Sequence, residues 1–95
     1  MSSSGHIGTM YALPNFNAAF AKTLRARRDQ ARLTQMQVAV AIGGSEVYIR
    51  RMERGMQTPT ATTLVLLARA LGVEPDIFLA EILHQMAFLD ERSNE

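Results

Sequence analysis

The sequence contains no cysteine, no tryptophan and only three prolines among its 95 residues. Without cysteine, neither a disulfide framework nor a thiolate metal site can form, which fits a reducing compartment. No apolar run approaches the roughly 18 residues that a membrane-spanning helix needs. The amino terminus also lacks the basic segment and apolar core that mark a secretory signal. These absences predict a cytoplasmic protein with no membrane partner.

Candidate catalytic and metal-binding groups are equally scarce. The two histidines are His6, near the amino terminus, and His84, which stands alone in the last apolar segment. Ser45 has no base near it in the sequence, and no pair of carboxylates is predicted to converge. A metal site fails for want of a second ligand beside His84. We therefore expect neither an enzyme nor a cofactor, and nothing in the pattern indicates a small-molecule effector.

Charge is distributed unevenly along the chain, although the net charge is only +1. Residues 1–73 hold nine Lys/Arg against three Asp/Glu, a net charge of +6, and residues 74–95 hold one against six, a net charge of −5. A basic body with an acidic end is typical of a protein that docks a polyanion with one face. Chance asymmetry on a solvated surface is the alternative interpretation.

A hydrophobic fraction of 47% with few aromatic residues, and no strand-like alternation, predicts one small all-α domain. Capping residues and glycines place five helices at 16–30, from 35 to the Gly43-Gly44 pair, from 46, at 60–71 and from 75. Their N-caps are Asn15 or Asn17, Thr34 and Ser45. Residues 1–14 are expected to be a flexible arm, 15–90 the domain and 91–95 an acidic tail. Whether residues 1–10 are native or a cloning remnant is left open.

The third helix has two chemically different faces. At 100° per residue, Ile49, Met52 and Glu53 share an inward stripe, whereas Val47, Arg51 and Arg54 lie about 140–160° from Ile49. Two short helices joined by a tight glycine turn, with an arginine-rich outward face, indicate a helix-turn-helix. Such a motif lays its second helix in the major groove of DNA.

Residues 20–79 carry a set of family marks that follow one another in register without a gap. They are Leu33-Thr34-Gln35, Val38-Ala39, Ile42-Gly43, Ser45, Ile49, Glu53-Arg54-Gly55, Pro59, Thr63-Leu64 and LARALGV over 67–73. With these marks the segment resembles the lambda-repressor-like domain of the Cro/C1 (Xre) family of transcriptional regulators, a five-helix DNA-binding fold. Restriction–modification controller proteins are similar in size and layout, and phage-type repressors and antitoxins carry the same marks. The resemblance implies a five-helix fold with an extended C-terminal helix, double-stranded DNA as the partner, and a nucleoid-associated protein.

The resemblance also assigns roles to individual residues. The base-reading positions would be Glu46, Val47, Tyr48 and Arg51, with Tyr48 better placed for flanking bases or phosphates. Arginine suits guanine, glutamate suits cytosine and valine suits a thymine methyl. Phosphate contacts would come from Gln35, Ser45, Arg50, Arg54, Gln57 and Thr58. For Gln35 the alternative is a solvent-facing side chain, and for Ser45 it is capping alone.

Two further expectations concern structure. Glu53 lies on the inward stripe and needs a buried partner, and the resemblance implies an ion pair with Arg28. The last helix is apolar around most of its circumference, which indicates a partner, most simply a second copy reading a pseudo-palindromic operator. The dimer interface would include Phe78, Ile82, Leu83, Met86 and Leu89. The alternatives are that residues after Leu83 fold over the first helix, or that this helix binds an unlike protein, as in an antitoxin.

Overall fold

Each predicted helix is present in the computed structural model, which describes residues 13–93. The helices are α1 (Phe16–Gln30), α2 (Gln35–Ile42), α3 (Glu46–Glu53), α4 (Ala61–Leu71) and α5 (Pro75–Ser93), and no residue of the described range is in a strand. The all-α, five-helix prediction is therefore confirmed. Residues 1–12 of the expected arm and residues 94–95 of the expected tail lie outside the described residues.

Hydroxyl side chains begin the three central helices. Thr34 accepts a hydrogen bond from the Gln37 amide at 3.0 Å, and the Gln37 side chain accepts one from the Thr34 amide, forming a reciprocal capping box. Ser45 caps α3 through the Tyr48 amide at 3.2 Å, and Thr60 caps α4 in the same way. Each cap satisfies a donor that the first turn cannot pair internally.

Both ends of α1 differ from the usual caps of a helix. Asn15 precedes the helix with φ 69° and makes no side-chain cap; its amide donates instead to Asp90 at 2.6 Å. At the other end, Arg32 holds the left-handed conformation with φ 60°. The Arg32 and Leu33 amides donate back to the carbonyls of Asp29 and Arg28, the pattern of a glycine-terminated helix. Here an arginine occupies the position that glycine usually fills.

The core lies where α5 packs along α1, with α2, α3 and α4 closing the remaining sides. Phe20, fully buried, stacks on Phe16 and meets the edge of Phe78, with ring centroids 6.3 and 6.4 Å away. The other large buried side chains are Leu24, Val38, Ile49, Met52, Leu67 and Ile82. Aliphatic packing around one aromatic cluster therefore holds all five helices together.

The position of α5 decides which of the predicted dimer-interface residues are exposed in a single chain. Phe78 and Ile82 are buried within the monomer, at 1% and 0% exposure, because they cover Phe20 and the rest of the core. Met86 and Leu89 are partly buried against the same core, so only Leu83 of the predicted set remains exposed. The helix continues to Ser93 and so includes the first residues of the segment 91–95 that was expected to be an acidic tail.

None of the helices within 13–93 is both long and apolar enough to cross a membrane. Over the same range, no group of three or more His, Cys, Asp or Glu side chains could hold a metal ion.

Candidate nucleic-acid interface

The outward face of α3 is the most chemically distinctive surface of the described chain. Ile49, Met52 and Glu53 are buried, as the helical period predicts. Val47 is 54% exposed, and Arg51 and Arg54 also face solvent. The helix thus presents two guanidinium groups and one branched apolar side chain on a surface that nothing in the described residues covers.

The remaining predicted contact residues of α3 have partners within the protein. An Arg50 guanidinium nitrogen lies 3.6 Å from a Glu46 carboxylate oxygen, one turn away, with both side chains about 40% exposed. Tyr48 is half-buried, and its hydroxyl lies 3.5 Å from the Thr63 hydroxyl of α4. The charge of Glu46 is therefore compensated in the unbound protein, and Tyr48 links α3 to α4.

Glu53 binds α3 to α1 on the buried side of the helix. Its side chain is 3% exposed, and its two carboxylate oxygens accept bonds from Arg28 Nε at 2.5 Å and Nη2 at 2.9 Å. Gln35 Nε2 adds a third bond at 3.1 Å. The hydrogen bonds to Glu53 raise the pKa of Arg28 above its ordinary value. The structure thus brings Arg28 and Glu53 together in two-pronged geometry.

The same network joins three helices. Arg28 of α1 also donates from Nη1 to the Leu33 carbonyl at 2.9 Å, and Arg25 of α1 donates to the Glu53 carbonyl at 2.6 Å. Gln35 connects the start of α2 to the same carboxylate. The orientation of α3 relative to α1 and α2 is therefore fixed by charge-assisted bonds as well as by apolar packing.

The predicted phosphate-binding residues differ in their availability. The Gln35 amide is bonded to Glu53, the Ser45 hydroxyl caps α3, and the Thr58 hydroxyl donates to the Asn17 side chain at 2.8 Å. Arg54 is exposed and Gln57 half-buried. The first three would have to share or exchange their present bonds to contact DNA.

Sequence reasoning missed two features of α1. Arg27 forms a two-pronged ion pair with Glu81 of α5, which lowers the pKa of Glu81 through hydrogen bonding and raises that of Arg27. Lys22 and Arg25 line a depression beside the end of α3. No local pattern signals either feature, because the partners are at least 28 residues apart in the chain.

Comparison with known proteins agrees with this geometry. The sequence model of a family described as a helix-turn-helix domain matches residues 19–78. An uncharacterized HTH-type transcriptional regulator of Sinorhizobium fredii, y4dJ, is 47% identical over 49 residues, which are 52% of this chain and 62% of that protein. An uncharacterized HTH-type transcriptional regulator of Mycobacterium tuberculosis is 34% identical over 54 residues, 57% of this chain and 39% of that protein. The chain thus spans less than two thirds of the length of these curated relatives.

The structure is also similar to solved structures. A crystal structure of the clp gene regulator ClgR from Corynebacterium glutamicum superposes with a TM-score of 0.78 at 26% identity, covering 85% of this chain and 86% of that chain. A second crystal structure of ClgR gives a TM-score of 0.71 at 27% identity, covering 78% and 96% of the two chains. Sequence and fold comparisons therefore point to the same class of protein.

Proposed function

Because the chain belongs to the helix-turn-helix domain family, we propose that it is a sequence-specific, double-stranded-DNA-binding transcriptional regulator. The observation that carries this function is the two-faced α3, which buries Ile49 and Met52 and leaves Val47 and Arg51 exposed. A helix of this kind fits the major groove, which is wide enough to admit it. The Glu53 network supports the proposal, because base reading needs a rigidly positioned helix.

We propose that Arg51, Val47 and Glu46 read base edges. Arg51 can pair with guanine through two hydrogen bonds, and Val47 can contact a thymine methyl. Glu46 can accept a bond from cytosine if Arg50 turns from it toward a phosphate. Tyr48 is held toward α4 and is better suited to a flanking base or phosphate.

Contacts to the DNA backbone would set the register. Arg54 and Arg50 carry charge for this purpose, and Gln57 lies in the loop that follows α3. Gln35, Ser45 and Thr58 can add bonds if DNA competes with their present protein partners. Such contacts position the protein without reading sequence.

We propose that the dimer forms at the exposed part of α5, which keeps Leu83 and Met86 of the predicted set. Leu79 and Leu83 lie one turn apart on α5 and are 39% and 42% exposed, beside the half-buried Met86. A two-fold axis at this face would place two copies of α3 for half-sites about 34 Å apart. An unlike protein could occupy the same apolar face, which is the antitoxin alternative.

Selection of bound duplexes from a random DNA pool, repeated at two salt concentrations, tests this function. We expect an inverted repeat with half-sites about one helical turn apart. Salt-sensitive binding without enrichment would show a surface that contacts only phosphates and would contradict sequence reading.

Sedimentation of the protein alone tests the dimer. A monomer that associates only when an unlike subunit from the host is added would favour the alternative.

A further inference from the structure

A cationic depression of about 450 Å³ lies beside the C-terminal end of α3. Lys22 and Arg25 of α1 form one wall, and Arg54 and Gly55 form the other. The helical period separates Lys22 and Arg25 from the buried side of α1, where Phe20 and Leu24 pack. The depression therefore lies between α1 and the end of α3 and is open to solvent.

Its three positive charges have little compensation within the protein. Among residues 13–93, the only carboxylate at its wall belongs to Glu53, which is 3% exposed and already bonded to Arg28. Lys22 and Arg54 make no ion pair within residues 13–93. Arg25 comes within 3.9 Å of Glu53 but remains 56% exposed. An anion entering the depression would meet three cations and no exposed acid.

Stabilisation of the end of α3 explains only part of this arrangement. A helix C-terminus favours a nearby cation, and Arg25 satisfies it by donating to the Glu53 carbonyl at 2.6 Å. That bond also fixes the guanidinium, so less conformational freedom is lost when its remaining donors bind a ligand. Lys22 makes no hydrogen bond to the end of α3 in the described structure. Stabilisation of that helix end therefore does not explain why Lys22 lies in the wall of the depression.

The depression continues the proposed DNA-binding face. Arg54 is the C-cap of α3 and follows three residues after Arg51, so the cations begin where the base-reading surface ends. We propose that Lys22, Arg25 and Arg54 together bind a phosphodiester of the DNA backbone at the edge of the half-site. This inference rests on the proposed function and extends the protein–DNA contact to α1.

The test is the salt dependence of DNA affinity for the full chain, wild type and Lys22→Gln, on the selected duplex. Each phosphate contact contributes about 0.9 to the slope of log K against log salt. We expect Lys22→Gln to reduce the slope by about that amount per protomer bound, without changing the preferred sequence. Arg69→Gln is the matched control, because it removes one exposed charge from α4, outside the depression. Lys22 is preferred to Arg25 as the test position because it makes no structural bond that the substitution would break.

The outcomes separate this inference from the proposed function. A lower slope for Lys22→Gln than for Arg69→Gln supports the phosphodiester site. Equal slopes for the two variants, with specific binding retained, overturn the site and leave the regulator intact. A wild type that binds no duplex overturns both. Titration with inorganic phosphate at constant ionic strength, followed by the Lys22 and Gly55 amide resonances, tests the other source. Saturable phosphate binding with an unchanged DNA slope would assign the site to a free anion and overturn the DNA assignment.

Discussion

Replacing Arg28 with alanine would remove both prongs of the bond to Glu53 and leave its carboxylate, 3% exposed, with only Gln35 and the more distant Arg25 as partners. Breaking a buried ion pair from one side costs about 3–5 kcal/mol. A domain of this size has a total stability of roughly 5–14 kcal/mol, so the loss is a large share of it. The expected fall in melting temperature is roughly 12–40 °C.

Chemical denaturation and thermal melting of the variant measure this loss. The matched control is Arg69→Ala, which truncates an exposed arginine of α4 and should stay within about 0.5 kcal/mol of wild type. The double variant Arg28→Met/Glu53→Met replaces the pair by apolar side chains and should regain most of the stability, because no unpaired charge remains buried. An Arg28→Ala protein whose free energy of unfolding lies within 1 kcal/mol of wild type would show that the buried Arg28–Glu53 pair does not stabilise the fold as expected.

Three further outcomes follow from the structure. Arg32→Gly should raise the free energy of unfolding by about 1 kcal/mol, because Arg32 holds φ 60° and a left-handed residue other than glycine is strained; urea denaturation showing a loss would contradict this. Arg27 lowers the pKa of Glu81, so this pair stabilises the fold above the carboxyl's unfolded pKa, and the contribution is lost as pH falls through the folded value. Because both side chains are partly exposed, the effect should be at most about 1 kcal/mol and should vanish in Glu81→Gln when stability is measured across acidic pH. Leu83→Glu should weaken self-association in sedimentation without lowering the melting temperature of the monomer, and an unchanged dimer would place the interface elsewhere.

The helix boundaries were predictable because their signals are local. Thr34, Ser45 and Thr60 each bond an amide three residues on, and Gly43 and Gly72 adopt the positive φ that ends a helix. A residue and its cap lie within one turn, so the sequence contains the whole interaction. The inward stripe of α3 follows from the helical period alone, for the same reason.

The sequence could not predict which face of α5 is buried and which is exposed. Its apolar residues cover most of the circumference, so periodicity cannot tell which stripe meets α1. Packing against Phe20 selects Phe78 and Ile82 and leaves Leu79 and Leu83 exposed. That choice depends on the shape of the whole core.

The hydrogen-bond partners of the polar side chains could not be predicted from local sequence patterns either. The resemblance implied the Arg28–Glu53 pair, but the bonds from Gln35 to Glu53 and from Thr58 to Asn17 join distant parts of the chain. Arg32 shows the opposite limit: no glycine signals the end of α1, yet two backbone bonds hold that arginine in a left-handed conformation.

Selection from a random duplex pool, with wild type and Arg51→Ala in parallel, tests directly whether α3 reads the DNA sequence. Arg51 is exposed on α3 and is not among the buried residues of that helix, so its truncation should leave the fold intact. We expect an inverted repeat for wild type and, for Arg51→Ala, lost preference at one base pair in each half-site, worth about 1–3 kcal/mol. Identical preferences and affinities for the two proteins would contradict the proposal that α3 reads the sequence.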